Sequence, residues 1–121
     1  HVHPSSQTEE EGARIMNDIL KEEDPPTAIF CANDCTELGV LRSLNKCRRK
    51  NYLPSVIAID NIRKSAKTSP MLTTIDIPKQ ELAHFALLLL LDQQKKAHKE
   101  CVRIELPCRL IERESCTYAP C

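Results

Sequence analysis

Two short apolar runs, each followed by an acid–amide pair, constrain the fold of this sequence more than any other feature. Residues 27–32 precede Asn33-Asp34, and residues 55–59 precede Asp60-Asn61. Runs of this length without polar alternation are typical of parallel strands that are buried on both faces. Because a helical pattern lies between them, the sequence predicts a βαβ unit with both polar pairs at one edge of the sheet.

The rest of the chain alternates between helical and extended patterns. Helices are predicted from residue 9 to before 24, from about 35 to the basic cluster 46–50, and from Pro78 to about 97; further strands are predicted at 72–77, 102–106 and 109–113. The centre of the last helix is apolar nearly all round and should be covered on more than one side. This order predicts an α/β fold, a three-layer doubly wound and mostly parallel sheet with helices on both faces.

Length and composition limit the possible functions. A chain of 121 residues fits one domain, and its 17 basic and 17 acidic residues provide no net positive field for nucleic acid. The apolar run 85–91 is far shorter than the roughly 18 residues that span a bilayer, and no signal peptide is expected from the first residues. Seven scattered cysteines favour reduced thiols in a cytoplasmic compartment.

The four polar residues at the strand ends are the candidate ligand contacts. In doubly wound sheets, ligands bind beyond the carboxyl ends of the strands. Asn33, Asp34, Asp60 and Asn61 can accept or donate hydrogen bonds to hydroxyl groups, so a polyol, sugar or nucleobase is a reasonable ligand class. The alternative is structural, because Asn and Asp also cap helices and form turns.

Other residue patterns do not indicate catalysis or a cofactor. Cys31 and Cys35 have a spacing that could serve zinc, but no second ligand pair follows, and buried thiols are the simpler interpretation. Gly12 and Gly39 are the only glycines, which excludes the glycine-rich phosphate loops. Because no histidine has a nucleophile with an orienting partner, we expect no enzyme, cofactor or metal site.

The segment at residues 26–34 and Leu38-Gly39 resembles the PTAIFxANDxxALG segment of the lactose-repressor-type (LacI/GalR) regulators. The resemblance continues through residues 56–61, 70–75 and 106–115, in the order of the family. The chain departs from the family at Ile59 and near Gln7, where aromatic residues are common.

The resemblance implies a transcriptional regulator with a DNA-binding headpiece and a two-lobed sensor similar to periplasmic sugar-binding proteins. Residues 1–121 would be mainly the C-terminal lobe of that type I fold, and the headpiece and most of the N-terminal lobe would be absent. A small effector would contact Asn33 and Asp60, with Asp34 and Asn61 shaping the turns. Operator DNA would be bound only through the missing headpiece.

The resemblance also implies a homodimer. In the family the interface is formed by the helix after the AND turn (residues 32–34 here) and by the loop before the strand predicted at 72–77. These correspond here to Leu38, Leu41 and Arg42, and to about Thr68. Two alternatives remain, a solute-binding protein of a sugar transport system and an enzyme on the same scaffold.

Overall fold

The computed structural model describes residues 2–47, 52–95 and 100–116. The described chain forms two units, one with most of the sheet and one that spans Ile77–Arg109. In chain order the elements are α1 (Glu9–Ile19), β1 (Ala28–Phe30), α2 (Asp34–Lys46), β2 (Ser55–Ile59), a 3₁₀ turn (Ser65–Lys67), β3 (Thr73–Asp76), α3 (Lys79–Gln94) and β4 (Arg109–Ile111).

The strands lie in the order β1-β2-β3-β4. β1 pairs in parallel with β2, with Ala28 opposite Ser55, and β2 pairs in parallel with β3, with Ile57 opposite Thr73. The predicted α/β fold with a mostly parallel sheet is therefore confirmed. Because these three strands run in one direction, their carboxyl ends meet at one edge of the sheet.

The core lies where α1 and α2 pack together and α2 packs on β2. Met16, Val56, Ala58 and Leu72 have at most 1% of their surface exposed. Full burial on both faces was predicted for the first strand, and this is wrong within the described chain. Phe30 is 62% exposed, because β1 is at the edge of the sheet.

Two glycines allow α1 and α2 to approach each other closely. A Cβ atom on Gly39 would lie 1.9 Å from the backbone oxygen of Glu9, and one on Gly12 would lie 2.1 Å from that of Thr36. No side chain larger than a hydrogen atom fits at either contact without moving the backbone. The buried hydroxyl of Ser43 then donates to the Ala13 carbonyl at 3.1 Å, which ties the two helices together.

The second unit contains α3. None of its residues is buried, and leucines at positions 82, 87, 88, 90 and 91 are 40–55% exposed. The prediction that this helix is covered on more than one side is therefore not met by the part of the chain that the structure describes. This helix is nevertheless not a membrane span, since no helix among the described residues is sufficiently long and apolar to cross a bilayer.

Two other sequence predictions differ from the structure. Residues 102–106 form no strand, and β4 is the only strand in the tail that the structure describes. Alternation alone does not make a strand, because the backbone groups also need a neighbouring strand to bond. The second helix was predicted to end in the basic cluster 46–50, and α2 ends at Lys46. The structure ends α3 at Gln94, before the predicted end near residue 97, which itself lies outside the described residues.

Candidate ligand-binding site

Asn33 caps α2 at the carboxyl end of β1. Its Oδ1 accepts from the Thr36 backbone nitrogen and from the Thr36 hydroxyl, both at 2.8 Å. Its Nδ2 donates to the Gln7 carbonyl at 3.1 Å, which attaches the turn to the segment before α1. The structural alternative for Asn33 is therefore present in the molecule, although an amide nitrogen carries two hydrogens and only one is used here.

Asp34 is fully buried and acts as an internal acceptor. Its carboxylate accepts from the Ile62 backbone nitrogen at 2.9 Å, from the Thr74 hydroxyl at 2.6 Å and from the Ser65 hydroxyl. Since Asp34 has no exposed surface and three protein donors, its side chain is engaged within the protein and holds the turn in this structure. Thr74 also accepts from the Asn61 backbone nitrogen at 3.3 Å, so the two polar turns are joined.

The backbone after β2 turns into the left-handed region. Asp60 has a φ of 121° and Asn61 a φ of 49°, and both side chains are half-buried. Non-glycine residues in sparsely populated backbone regions each cost on the order of 1–3 kcal/mol, and they concentrate at functional sites. Asp and Asn tolerate this region better than other side chains, which is a physical reason for an acid–amide pair here.

The Asn61 side chain is bonded on both sides. Its Nδ2 donates to Asp76 Oδ1 at 2.9 Å, and its Oδ1 accepts from Arg113 Nη2 at 2.7 Å. Both polar atoms of the amide therefore have protein partners, and Asn61 shapes the turn. Arg113 was predicted only as part of a strand. A conspicuous signal for its role is absent from the sequence, because its partners lie 40 to 52 residues away.

Asp60 differs from its neighbours. Its backbone nitrogen donates to the Ile75 carbonyl at 2.9 Å, but its carboxylate has no hydrogen bond or ion pair within the described residues. This half-buried acid follows β2 directly, at the edge where the parallel strands end. Of the four predicted contacts, Asp60 is the one whose side-chain polar atoms bond to no protein group among the described residues.

Sequence reasoning missed a second acid on α2. Glu37 is fully buried, and its Oε2 has no partner in the described structure. Burial and the nearby Asp34 carboxylate raise the pKa of Glu37 to about 8, against weaker opposing effects of Ser115 and Arg113. Burial and the same two carboxylates raise the pKa of the Cys31 thiol to about 12, so Cys31 is a buried neutral thiol.

The same unit contains a groove of about 550 Å³. It is mainly apolar and is lined by the segment before α1 and by residues of α1, β1 and α2, including His3, Ile15, Ile29, Cys31 and Thr36. Asp60 does not line it. The groove and the polar strand ends are therefore separate features of this unit.

The predicted interface residues are divided between core and surface. Leu38 and Leu41 are 6% and 5% exposed and pack within the chain, so they do not form an exposed apolar stripe. Arg42 is exposed and pairs with Glu9 at 3.2 Å, and Thr68 is half-buried after the 3₁₀ turn. Among the described residues, no group of three His, Cys, Asp or Glu side chains is arranged to hold a metal ion.

A parallel α/β sheet with a free carboxylate on a strained turn at its strand ends defines a small-molecule-binding domain. The sequence matches the family profile described as "Periplasmic binding protein-like domain" over residues 1–116, and the chain belongs to this family. It is 37% identical over 112 residues to the "HTH-type transcriptional repressor PurR" of Photorhabdus laumondii. That match covers 92% of this chain and 33% of the relative, so the chain spans about a third of the relative's length.

Solved structures of LacI family regulators show the same fold. A regulator from Enterococcus faecium with bound ribose is 31% identical, with a TM-score of 0.78 over 93% of this chain and 42% of that chain. A regulator from Arthrobacter sp. FB24 in complex with lactose is 27% identical, with a TM-score of 0.77 over 93% of this chain and 44% of that chain. The LacI/GalR resemblance is therefore confirmed as an effector-binding domain of this type.

Proposed function

We propose that this chain is the effector-sensing lobe of a bacterial LacI-type transcriptional regulator, and that its effector is a sugar or related polyol. The observation that carries the proposal is the unpartnered Asp60 carboxylate on a constrained turn at the carboxyl ends of the parallel strands. Two structures of the same family hold ribose and lactose, which supports the ligand class.

The chemistry of the strand ends suits hydroxyl groups. A carboxylate accepts hydrogen bonds only, so Asp60 takes the hydrogens of one or two neighbouring hydroxyls. Asn33 contributes the amide hydrogen that is not donated to Gln7. Asp34 and Asn61 support these two residues from behind without contacting the ligand. This division assigns recognition to Asn33 and Asp60 and turn geometry to their neighbours.

Sensing requires no bond to be made or broken. An effector that binds one arrangement of a regulator better than another shifts the population toward that arrangement, by an amount set by the difference in affinity. The 121 residues carry equal numbers of acidic and basic side chains, which supports operator binding by a headpiece outside this sequence. Seven cysteines scattered without the spacing of a disulfide scaffold suit a cytoplasmic regulator.

Homodimerisation is part of the proposal, with a revised contribution from the predicted residues. Arg42 and Thr68 have surface available to a second copy. Leu38 and Leu41 would act indirectly, because they fix α2 against the core. Packing of α3 against the remaining lobe of the regulator would cover its leucines, which are exposed within the described residues.

The test is a titration of the isotopically labelled chain with D-ribose and with lactose, followed by NMR. We expect the Asp60 and Asn61 amide signals to move on binding of at least one sugar. Replacing the carboxylate in Asp60→Ala should weaken binding at least about tenfold, as expected for loss of hydrogen bonds to a charged group. Asp24→Ala is the matched control, since Asp24 is an exposed acid away from the strand ends.

Two results would contradict the proposal. Undiminished binding by the Asp60→Ala variant would remove Asp60 from the site. Conversion of either sugar into a product during the titration would favour the enzyme alternative, because a sensor leaves its ligand chemically unchanged. The transport alternative has less support, since the curated relative is a transcriptional repressor.

A further inference from the structure

The left-handed turn after β2 has few anchors of its own. The Asp60 backbone nitrogen bonds to the Ile75 carbonyl, and that of Asn61 makes a long 3.3 Å bond to Thr74 Oγ1. These bonds locate the turn beside β3. The orientation of the Asn61 side chain then depends on the two groups that face its amide, Asp76 and Arg113.

Arg113 connects this turn to the start of β3. Its Nη1 donates to the Leu72 carbonyl at 2.6 Å, its Nη2 donates to Asn61 Oδ1 at 2.7 Å, and its backbone nitrogen donates to Thr73 Oγ1 at 2.9 Å. A planar guanidinium with two donors in use fixes direction as well as distance. Arg113 therefore selects the orientation of the Asn61 amide in which Nδ2 faces Asp76.

We propose that Arg113 is a positioning residue of the effector site: by holding the Asn61 amide, it maintains the left-handed turn that presents the Asp60 carboxylate. Its effect on binding rests on the proposed function, because it acts through Asp60. Its effect on the turn is independent of any ligand. Both side-chain bonds of Arg113 go to protein atoms, which distinguishes this role from direct contact with an effector.

A purely structural role would make a different prediction. If Arg113 only fastened the tail to β3, its bonds to Leu72 and Thr73 would suffice, and the Asp60-Asn61 turn would persist without it. The positioning role instead predicts that the turn loses its fixed geometry while the buried strand β2 keeps its own. The two roles are therefore separated by measuring the turn and the strand in the same sample.

The experiment compares the chain with its Arg113→Gln and Arg113→Lys variants by NMR, using Cα and Cβ chemical shifts and amide–Hα couplings. In Arg113→Gln, we expect the chemical shifts and couplings of Asp60 and Asn61 to leave the range typical of positive φ. The chemical shifts and couplings of Ala58, within β2, should stay unchanged. Arg113→Lys should be intermediate, because an ammonium group cannot replace the planar fork. Arg109→Gln is the matched control, because Arg109 is an exposed arginine at the start of β4, shortly before Arg113 in the sequence.

A second substitution provides a rescue. Glycine adopts positive φ without steric cost, so Asn61→Gly in the Arg113→Gln background should restore the Asp60 shifts. D-ribose affinity should fall at least about tenfold in Arg113→Gln and recover in the double variant. Recovery through a glycine at position 61 is not expected if Arg113 merely stabilises the tail.

Unchanged left-handed values at Asp60 and Asn61 in Arg113→Gln would overturn the proposal, as would restored turn geometry without restored ribose affinity. If Arg113→Gln does not fold, the same comparison with Arg113→Lys decides the outcome. A chain that binds no ribose, with or without substitution, would contradict the proposed sugar site. The turn conformation would still decide the role of Arg113.

Discussion

Ser115 and Glu37 lie 78 residues apart in the sequence, and the Ser115 hydroxyl oxygen is 3.4 Å from Glu37 Oε1 in the interior. The same hydroxyl is only 2.6 Å from the Val56 carbonyl, so its single hydrogen is directed mainly to that carbonyl. Glu37 Oε2 has no partner among the described residues. Glu37 is thus a buried acid with little hydrogen-bond support for its charged form.

The free energy of unfolding should therefore decrease as the pH rises. The pKa of Glu37 is about 8 in the folded chain and near the ordinary 4.5 when unfolded. Between these values the folded state binds more protons, so stability is highest at the acid end and falls until the pH passes about 8. Urea denaturation at several pH values measures this decrease, which we expect to reach roughly a few kcal/mol.

The Glu37→Gln variant tests the assignment of this pH dependence. Glutamine keeps the shape but cannot ionise, so the variant should lose much of the decrease and exceed the parent chain in stability above pH 8. Glu10→Gln, which removes an exposed acid from α1, should behave as the parent. If Glu37→Gln showed the full pH dependence, another group would be responsible.

Asp34→Asn should destabilise the chain by roughly 2–5 kcal/mol, because it removes a buried charge that has hydrogen-bond donors on two sides. With the amide oxygen kept toward the Ile62 backbone nitrogen and the Ser65 hydroxyl, the new amide nitrogen would face the Thr74 hydroxyl, which donates to this position. Loss of the Asp34 charge should also lower the pKa of Glu37, since this charge helps to raise it. Chemical denaturation and pH titration measure the two effects, and Asp24→Asn serves as an exposed control.

Gly39→Ala should lower the stability of the chain, although replacing glycine by alanine usually stabilises a helix. Alanine at an ordinary helix position is favoured over glycine by about 0.5–1 kcal/mol. Here its methyl carbon would meet the Glu9 carbonyl oxygen at 1.9 Å, so we expect a loss of about 1–3 kcal/mol from separation of α1 and α2. Thermal unfolding measures the change, with Lys46→Ala as an exposed control on α2. An increase in stability would show that the helices separate without cost.

Substitutions of Asn33 should separate capping from ligand recognition. Asn33→Ala removes the acceptor for Thr36 and should cost about 1 kcal/mol of stability. Asn33→Asp keeps the acceptor that caps α2 but has no amide hydrogens, so it should retain the capping contribution and lose only the exposed bond to the Gln7 carbonyl, while D-ribose affinity falls. Denaturation and NMR titration of the same samples measure both quantities. Equal ribose affinity in Asn33→Asp and the parent would leave Asn33 with the capping role alone.

Local patterns in the sequence predict the central fold well. The apolar runs around Ile29 and Ile57 become β1 and β2, and Asn33 and Asp60 follow them as expected. These predictions succeed because strand formation in a buried parallel sheet depends on runs of neighbouring residues. They do not distinguish Asp34, which is enclosed by protein donors, from Asp60, which is not.

Long-range contacts explain what the sequence does not predict. Arg113 and Ser115 act on Asn61 and Glu37 from the far end of the chain, and no spacing rule links them. Residues 102–106 alternate as a strand does but form none, since strand formation depends on a partner as well as on pattern. The exposure of α3 has the same origin, because burial of a helix is decided by what packs against it.

The backbone after β2 also restricts how the sequence at this turn can diverge. Positive φ values at positions 60 and 61 favour Asp, Asn and Gly and disfavour β-branched and bulky side chains. Among these three residues, only Asp supplies a carboxylate and only Asn supplies an amide to face Arg113. A change of effector during evolution would therefore be achieved more readily at the side chains surrounding this turn than within it.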